Sequence, residues 1–466
     1  MKLPSSTKFD GGAGGLRRHT LAGIAGSVVL LVGVAACSST SKSATPSASA
    51  STSTAPSAAT GSTSATAPSA ATGSTAASGG AAAASGSATS GKPVKIGVSV
   101  SLSGDFSADG LATKQGYQTW AAYQNAHGGI LGHPIVMDFL SDGSSPTQIV
   151  TNYQKLITVD KVDFTLGPYS TLLTKPASVI TNRYGYVMLE GIGGGPSVFS
   201  QGLKNVFDVS ASATYQMVTV AKWIAATQSP QPIAYATMDD PFIKPTLDGA
   251  RTYLDGKGFT EATYKVYPLE TTDFTAIASA IAATHAKIVL LGTMPPDGYA
   301  LIQDFIQDKY NMNILAEASG PDQGAQFIKA IGASNTEAIM VPNTWYPDST
   351  FYQNSDMVAE YLKMFGGTKD AISADVAEAF AAGQVLMQAV THNNSLSNSE
   401  LETYLHSGAA FQSVQGPVMF GSDGENVGAT PYIFQWQHGT FVPVLPTGGS
   451  DIKAVEIPKP AWGSGG

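Results

Sequence analysis

Val94-Lys95-Ile96-Gly97-Val98-Ser99-Val100, running into Ser101-Leu102-Ser103-Gly104, is the stretch on which the fold turns. Apolar residues alternate with small or polar ones over a strand's length and then stop at a serine- and glycine-rich loop, so the segment reads as a strand entering a turn. The chain beyond it repeats this in kind. A helical stretch runs from about Ala108 to Ala126 and stops at His127-Gly128-Gly129. Ile135 to Leu140 reads as a strand, Pro146 to Val159 as a helix, Phe164 to Gly167 as a strand, Thr174 to Tyr184 as a helix, and Tyr186 to Leu189 as a strand. Strands that alternate with helices imply a parallel sheet covered on both faces.

The rhythm restarts after Val206-Phe207-Asp208-Val209 and runs to strand Asn313–Glu317, enough for a second sheet of similar size. Two further helical patterns, Tyr352–Phe365 and Asp375–Val390, precede a β-rich return through Gly416–Phe420 and Pro431–Val444, with Gly439 in a hairpin turn. The tail after Thr447 is rich in Gly and Pro and is expected to be loosely held. The fold class expected is α/β, with two doubly wound parallel-sheet lobes.

Upstream of Pro93 the chain has a different character. Lys2, Lys8, Arg17 and Arg18 form a basic start, Leu21 to Ala36 is apolar apart from glycines and Ser27, and Val34-Ala35-Ala36 leads into Cys37. A basic segment, a short apolar core and small residues at its end describe an export signal. The core is shorter than the roughly 20 residues a spanning helix needs. Cys37 is the only cysteine, so no internal disulfide can form. Its place at the signal's end fits either a small residue in a discarded segment or a lipobox, whose cysteine carries acyl chains that hold a protein on a membrane. From Ser38 to about Gly91 the chain is nearly all Ser, Thr, Ala, Gly and Pro, and Ala55–Thr63 recurs unchanged at Ala67–Thr75. Such a stretch cannot bury a core. As a coil of about fifty residues it spans roughly 40 Å, which suits a tether.

Charge and motifs exclude more than they assign. Acidic residues number 34 against 25 basic ones, which argues against nucleic acid as a partner. No zinc-type cysteine pair, His-Glu-x-x-His, P-loop or Gly-x-Ser-x-Gly elbow occurs, so neither an enzyme, a cofactor nor a metal is expected. His127 and His133 flank a Gly-rich turn without further ligands. In open parallel sheets ligands bind beyond the carboxyl ends of strands. That rule selects Ser101–Asp105, Gly167–Thr171, Glu190–Gly195, Asp239–Phe242, Thr293–Pro296 and Glu317–Asp322. Ser170 and Thr171 offer hydroxyls where a helix begins, suited to a carboxylate or simply to capping that helix. The glycines from Gly191 to Gly195 allow close main-chain approach or a mobile loop. Phe242 could wall a cleft or fill a core. Asp239-Asp240 could contact a ligand or favour a helix N-terminus.

In order, Ile96-Gly97-Val98, Leu102-Ser103-Gly104, Asn125–Gly132, Gly167–Thr171 with Pro176-Ala177-Ser178, Gly416–Phe420 and Phe434-Gln435-Trp436 resemble the type I periplasmic-binding-protein family. Within it they resemble the branched-chain amino-acid (Leu/Ile/Val) branch, the substrate-binding lipoproteins of ABC importers, over about Val94 to Pro446. The resemblance implies lobe I at 93–210 and 343–423, lobe II at 211–342 and 424–447, and crossovers near Ser210, Pro342 and Asp423. The segments outside are 1–37 as signal and lipobox, 38–92 as tether and 448–466 as tail. It implies a monomer on the outer face of the cytoplasmic membrane, anchored at Cys37. Its cleft would close on a small polar solute, a branched-chain amino acid or a related amino acid or amide, and pass it to ABC permease subunits. A sensory lipoprotein on the same fold is the alternative use.

By position, Thr171 would hold a ligand carboxylate, Ile192 and Gly194 would offer main-chain contacts, and Phe242 would cover the ligand. Glu317, or Asp322 with a shift in register, would pair with its ammonium. Gly194 lacks the threonine hydroxyl usual in that branch, and Ala213 stands where an acid is common. Glu190 is an additional acid; facing inward, it would favour a cationic or hydroxyl-rich ligand.

Overall fold

Val94–Val100, β1, is buried at every position except Lys95, as expected of a strand covered on both faces. The computed structural model containing it describes residues 91–448 and 451–464. The signal, the lipobox at Cys37 and the tether up to residue 90 lie outside the described residues.

Strand β1 sits inside a five-stranded sheet of order β2-β1-β3-β4-β5. The others are β2 (Ile135–Ser141), β3 (Phe164–Leu166), β4 (Met188–Glu190) and β5 (Val206–Asp208), and every pairing is parallel. Between them run α1 (Ser107–Ala126), α2 (Pro146–Thr158), α3 (Thr171–Arg183) and α4 (Pro196–Phe199). Helix α2 starts as its sequence dictates: Pro146 occupies the first turn, and the Ser145 hydroxyl accepts the Gln148 N–H at 3.3 Å. The Asn125 side chain, within the Asn125–Gly132 motif, both donates to and accepts from the Ile135 backbone, which locks α1 to β2.

The chain then builds a second sheet, order β14-β13-β10-β9-β8-β6-β7. Its parallel part comprises β6 (Pro232–Met238), β7 (Thr260–Tyr267), β8 (Ile288–Gly292), β9 (Ile314–Glu317) and β10 (Ile339–Asn343). The helices of this part are α5 (Ala213–Gln216), α6 (Val218–Thr227), α7 (Ile243–Asp255), α8 (Thr275–Ala282), α9 (Asp297–Gln307) and α10 (Ala325–Ile331). After β10 the chain returns to the first lobe with α11 (Asn354–Phe365), α12 (Ala374–Asn393), α13 (Asn398–Leu405) and the hairpin β11 (Ala410–Ser413) and β12 (Gly416–Met419). Helix α12 packs into the same core as β1, with Phe380, Val385 and Leu386 buried beside Val98 and Trp120.

The β-rich return expected near the end of the chain joins the second sheet at its edge. Strands β13 (Tyr432–Gln437) and β14 (Thr440–Leu445) complete the second sheet antiparallel, with Met340 opposite Gln435. They form a hairpin, and a hairpin joins only antiparallel neighbours. Its turn is the expected one, with His438 at φ 51° and Gly439 at φ 72°.

The tail departs from expectation. Residues 451–464 lie against the second lobe instead of hanging loose. Lys459 is buried and donates to Asn311, its backbone N–H donates to the Asn313 carbonyl, and the Trp462 indole donates to the Tyr310 carbonyl at 2.6 Å. The glycines and prolines there shape a bound extended segment, and Trp462 is its aromatic anchor.

Candidate functional site

A cavity of about 110 Å³ lies where the two sheets face each other. One water needs about 10–15 Å³ by the same kind of measure, so the space suits one small solute. Its walls come from the carboxyl ends of strands in both sheets. Phe106 follows β1, Tyr169, Ser170 and Thr171 follow β3, Gly191, Ile192 and Gly194 follow β4, and Asp208 ends β5. From the second sheet, Asp240, Phe242 and Ile243 follow β6, Met294 follows β8, and Ala318, Ser319 and Asp322 follow β9. Pro342 and Asn343 end β10, the connecting segments give Ser210, Ala211 and Thr344, and the first turns of α12 give Ala374, Asp375 and Glu378. The strand-end rule therefore holds in both lobes at once.

Thr171 begins α3, and its hydroxyl oxygen accepts the Gly195 N–H at 3.0 Å, which leaves the hydroxyl proton free to donate. Ser170 precedes it at φ 75°, and its buried hydroxyl makes no hydrogen bond. The helix-capping reading of Ser170 is thereby set aside, since its side chain caps nothing. The glycines are there for space. A Cβ on Gly194 would run into the Asp208 carboxylate, and one on Gly195 into the Thr171 side chain and the Pro241 carbonyl. The main chain after β4 can sit between the lobes only if it carries no side chains at these positions.

Two expected site residues lie elsewhere. Glu190 is fully buried, but one carboxylate oxygen turns back to accept the N–H groups of Ile192 (2.9 Å) and Gly193 (2.6 Å). It braces the loop from behind and is absent from the cavity wall. Burial pushes its carboxyl up to about 7. Glu317 is likewise buried behind the wall, accepting from the Thr293 hydroxyl at 3.0 Å, and burial pushes it up to about 8. Of the two candidates for the ammonium partner, Asp322 is the one that lines the cavity. Ala213 is buried outside the cavity wall, its N–H donating to the Gly194 carbonyl at 3.0 Å.

The structure adds residues the sequence did not single out. Asp208 is fully buried; one oxygen accepts the Ser210 N–H at 2.8 Å and the other, Oδ2, has no partner. Asp375 accepts from the Ser373 hydroxyl at 2.9 Å, and Glu378 from the Thr344 hydroxyl at 2.6 Å. Asp240 both caps α7, accepting from Phe242 and Ile243, and lines the cavity, so its two readings are compatible. Burial and neighbouring acids raise Asp208 and Asp375 well above the usual carboxylate range, and Glu378 to about 8. Phe106 and Tyr169 form a tilted pair, ring centres 5.4 Å apart, on the first lobe's side of the cavity, and Phe242 stands on the second lobe's. Asp208 could have been found by the strand-end rule. Asp375 and Glu378 carry no such mark, because only the fold returns α12 to this place.

A family model described as periplasmic binding protein matches residues 93–440. The chain belongs to the type I periplasmic-binding-protein family. These are extracytoplasmic binding proteins rather than enzymes, and this binding protein shares their two-lobed fold. The Leu/Ile/Val-binding protein BraC3 of Rhizobium johnstonii is 24% identical over 350 residues, covering 75% of this chain and 93% of that protein. Among solved structures, LivJ from Streptococcus pneumoniae, in complex with isoleucine, superposes with a TM-score of 0.64 at 17% identity, over 79% of this chain and 100% of that one. A solute-binding protein of an ABC transporter from R. palustris, in complex with benzoate, gives 0.64 at 16% identity, over 79% and 97%. One fold thus holds an aliphatic amino acid in one relative and an aromatic acid in another. The cargo must be argued from side chains.

Proposed function

We propose that this chain is the substrate-binding component of an ABC importer, tethered outside the cytoplasmic membrane through a lipid on Cys37, and that its lobes close on a small polar solute. The observation that carries this reading is the single cavity wall assembled from the strand ends of both sheets. A solute there touches both lobes, so it favours whichever arrangement brings them together. Thr171, Ser170 and the main chain of Ile192 and Gly194 would hold an anionic end, Asp322 an ammonium, and Phe242 would cover the apolar part. The importer role is supported by the relatives' stated functions, and the lipid anchor by the sequence around Cys37.

Thermal unfolding of the full chain against amino acids, amides, amines and aromatic acids tests the reading. A solute at 100 times its dissociation constant adds about 2.7 kcal/mol, which raises the midpoint by a few degrees in a body of this size. At least one class should do so and be recovered chemically unchanged. Turnover of the solute, or a midpoint that no class moves, would count against a binding protein.

A further inference from the structure

The cavity wall carries Asp208, Asp240, Asp322, Asp375 and Glu378, and no Lys, Arg or His. Nor does any of these five take part in an ion pair among the described residues. Four are fixed by the fold through one oxygen: Asp208 to Ser210 N–H, Asp240 to the α7 N-terminus, Asp375 to the Ser373 hydroxyl and Glu378 to the Thr344 hydroxyl; Asp322 accepts from Gly320 N–H with one oxygen and, at 3.4 Å, from the Gln323 amide with the other. A second, independent sign of an absent partner is Asp208 Oδ2, on a fully buried side chain of the cavity wall, which has no hydrogen bond. Leaving such an oxygen unmatched is costly unless a ligand supplies the donor.

The acids are also placed across the cleft from one another. Asp322 of the second lobe repels Asp109, Asp375 and Glu378 of the first. Each of these acids makes it harder for the others to ionise, and a cation placed between them favours the charged form of all of them. A neutral zwitterion answers one of these carboxylates with its ammonium and leaves the rest. The aromatic rings of Phe106, Tyr169 and Phe242 also line the cavity, and aromatic rings attract organic cations.

We propose that the solute captured here bears a net positive charge: an aliphatic diamine or guanidino amine, with or without one carboxylate, in place of leucine, isoleucine or valine. This rests on the cleft being the binding site. Its acids on the α12 side hold the second cationic group, and Asp322 holds the first.

Calorimetric titration of the full chain with lysine, arginine, putrescine, norleucine and leucine tests it. Lysine, arginine or putrescine should bind at least tenfold more tightly than norleucine, which matches lysine in shape without the second charge. Asp322→Asn and Asp375→Asn should each weaken the cation by roughly tenfold or more, with unchanged circular dichroism showing that the variants fold. Thr171→Ala separates the two kinds of cation: it weakens lysine or arginine more than putrescine if the carboxylate is read. Leucine or norleucine binding as tightly as lysine overturns the charge inference and leaves the binding function standing. Binding of none of the five overturns the charge inference, and the thermal screen then decides the function separately.

Discussion

Glu190, Glu317 and Glu378 set the pH behaviour of the empty protein. Burial raises them to about 7, 8 and 8 from an ordinary value of 4.5. The groups facing them add to this or offset it: Glu425 beside Glu190, Asp322 beside Glu317, and Glu190, Asp322, Asp109 and Asp375 around Glu378, against donors from Ile192, Gly193, Thr293 and Thr344. With folded values above unfolded ones, the folded state holds protons that the unfolded chain releases. Their stabilising contribution is complete below about 4.5 and is lost as pH rises through 7 to 8. Asp208 and Asp375 act in the same sense. Lys459, lowered from 10.5 to about 7 by burial, acts oppositely, its penalty growing as pH falls from 10.5 to about 7 and staying constant below, but it is one group against five. The unliganded midpoint of thermal unfolding should therefore be higher at about pH 6 than at about pH 8. A lower midpoint at the more acidic value would contradict the burial of these acids.

At the scale of elements, the first lobe depends on α12 lying tightly against α1. Gly383 meets the face of Trp120, which is 1% exposed, and a Cβ there would overlap the indole ring. Gly383→Val should cost about 1–3 kcal/mol by overpacking, read by urea unfolding. The cleft lies at the N-terminal turns of α12, away from this contact, so affinity for solute should hold at permissive temperature. An unchanged urea midpoint would show that the two helices have room between them. The elements also show what a sequence can and cannot convey. Strand β1 and helix α2 are readable because their periodicity, Pro146 and Ser145 are local signals. The hairpin at Gly439 is readable for the same reason. The docking of residues 451–464 is not, since Lys459 and Trp462 look like any surface residues until Asn311 and Tyr310 are brought beside them.

Across the whole molecule, the strand-end rule and the family resemblance together single out Ser170, Thr171, Ile192, Gly194, Phe242 and Asp322, which all lie on the cavity wall. They leave open which way Glu190 faces and whether Glu317 or Asp322 meets the ligand, because a sequence does not show which way a carboxylate turns once a neighbouring donor competes for it. They miss the excess of acid in the cleft, because Asp375 and Glu378 lie some 200 residues from Thr171 and meet it only through the fold. The central claim is that one solute engages both lobes. Hydrogen exchange on the full chain, with and without the tightest-binding solute, tests this most directly. Joint protection is expected at residues 169–171 and 191–195 of the first lobe and 240–243 and 318–322 of the second. Protection confined to one lobe, or none at these four segments while the solute is bound, would contradict it.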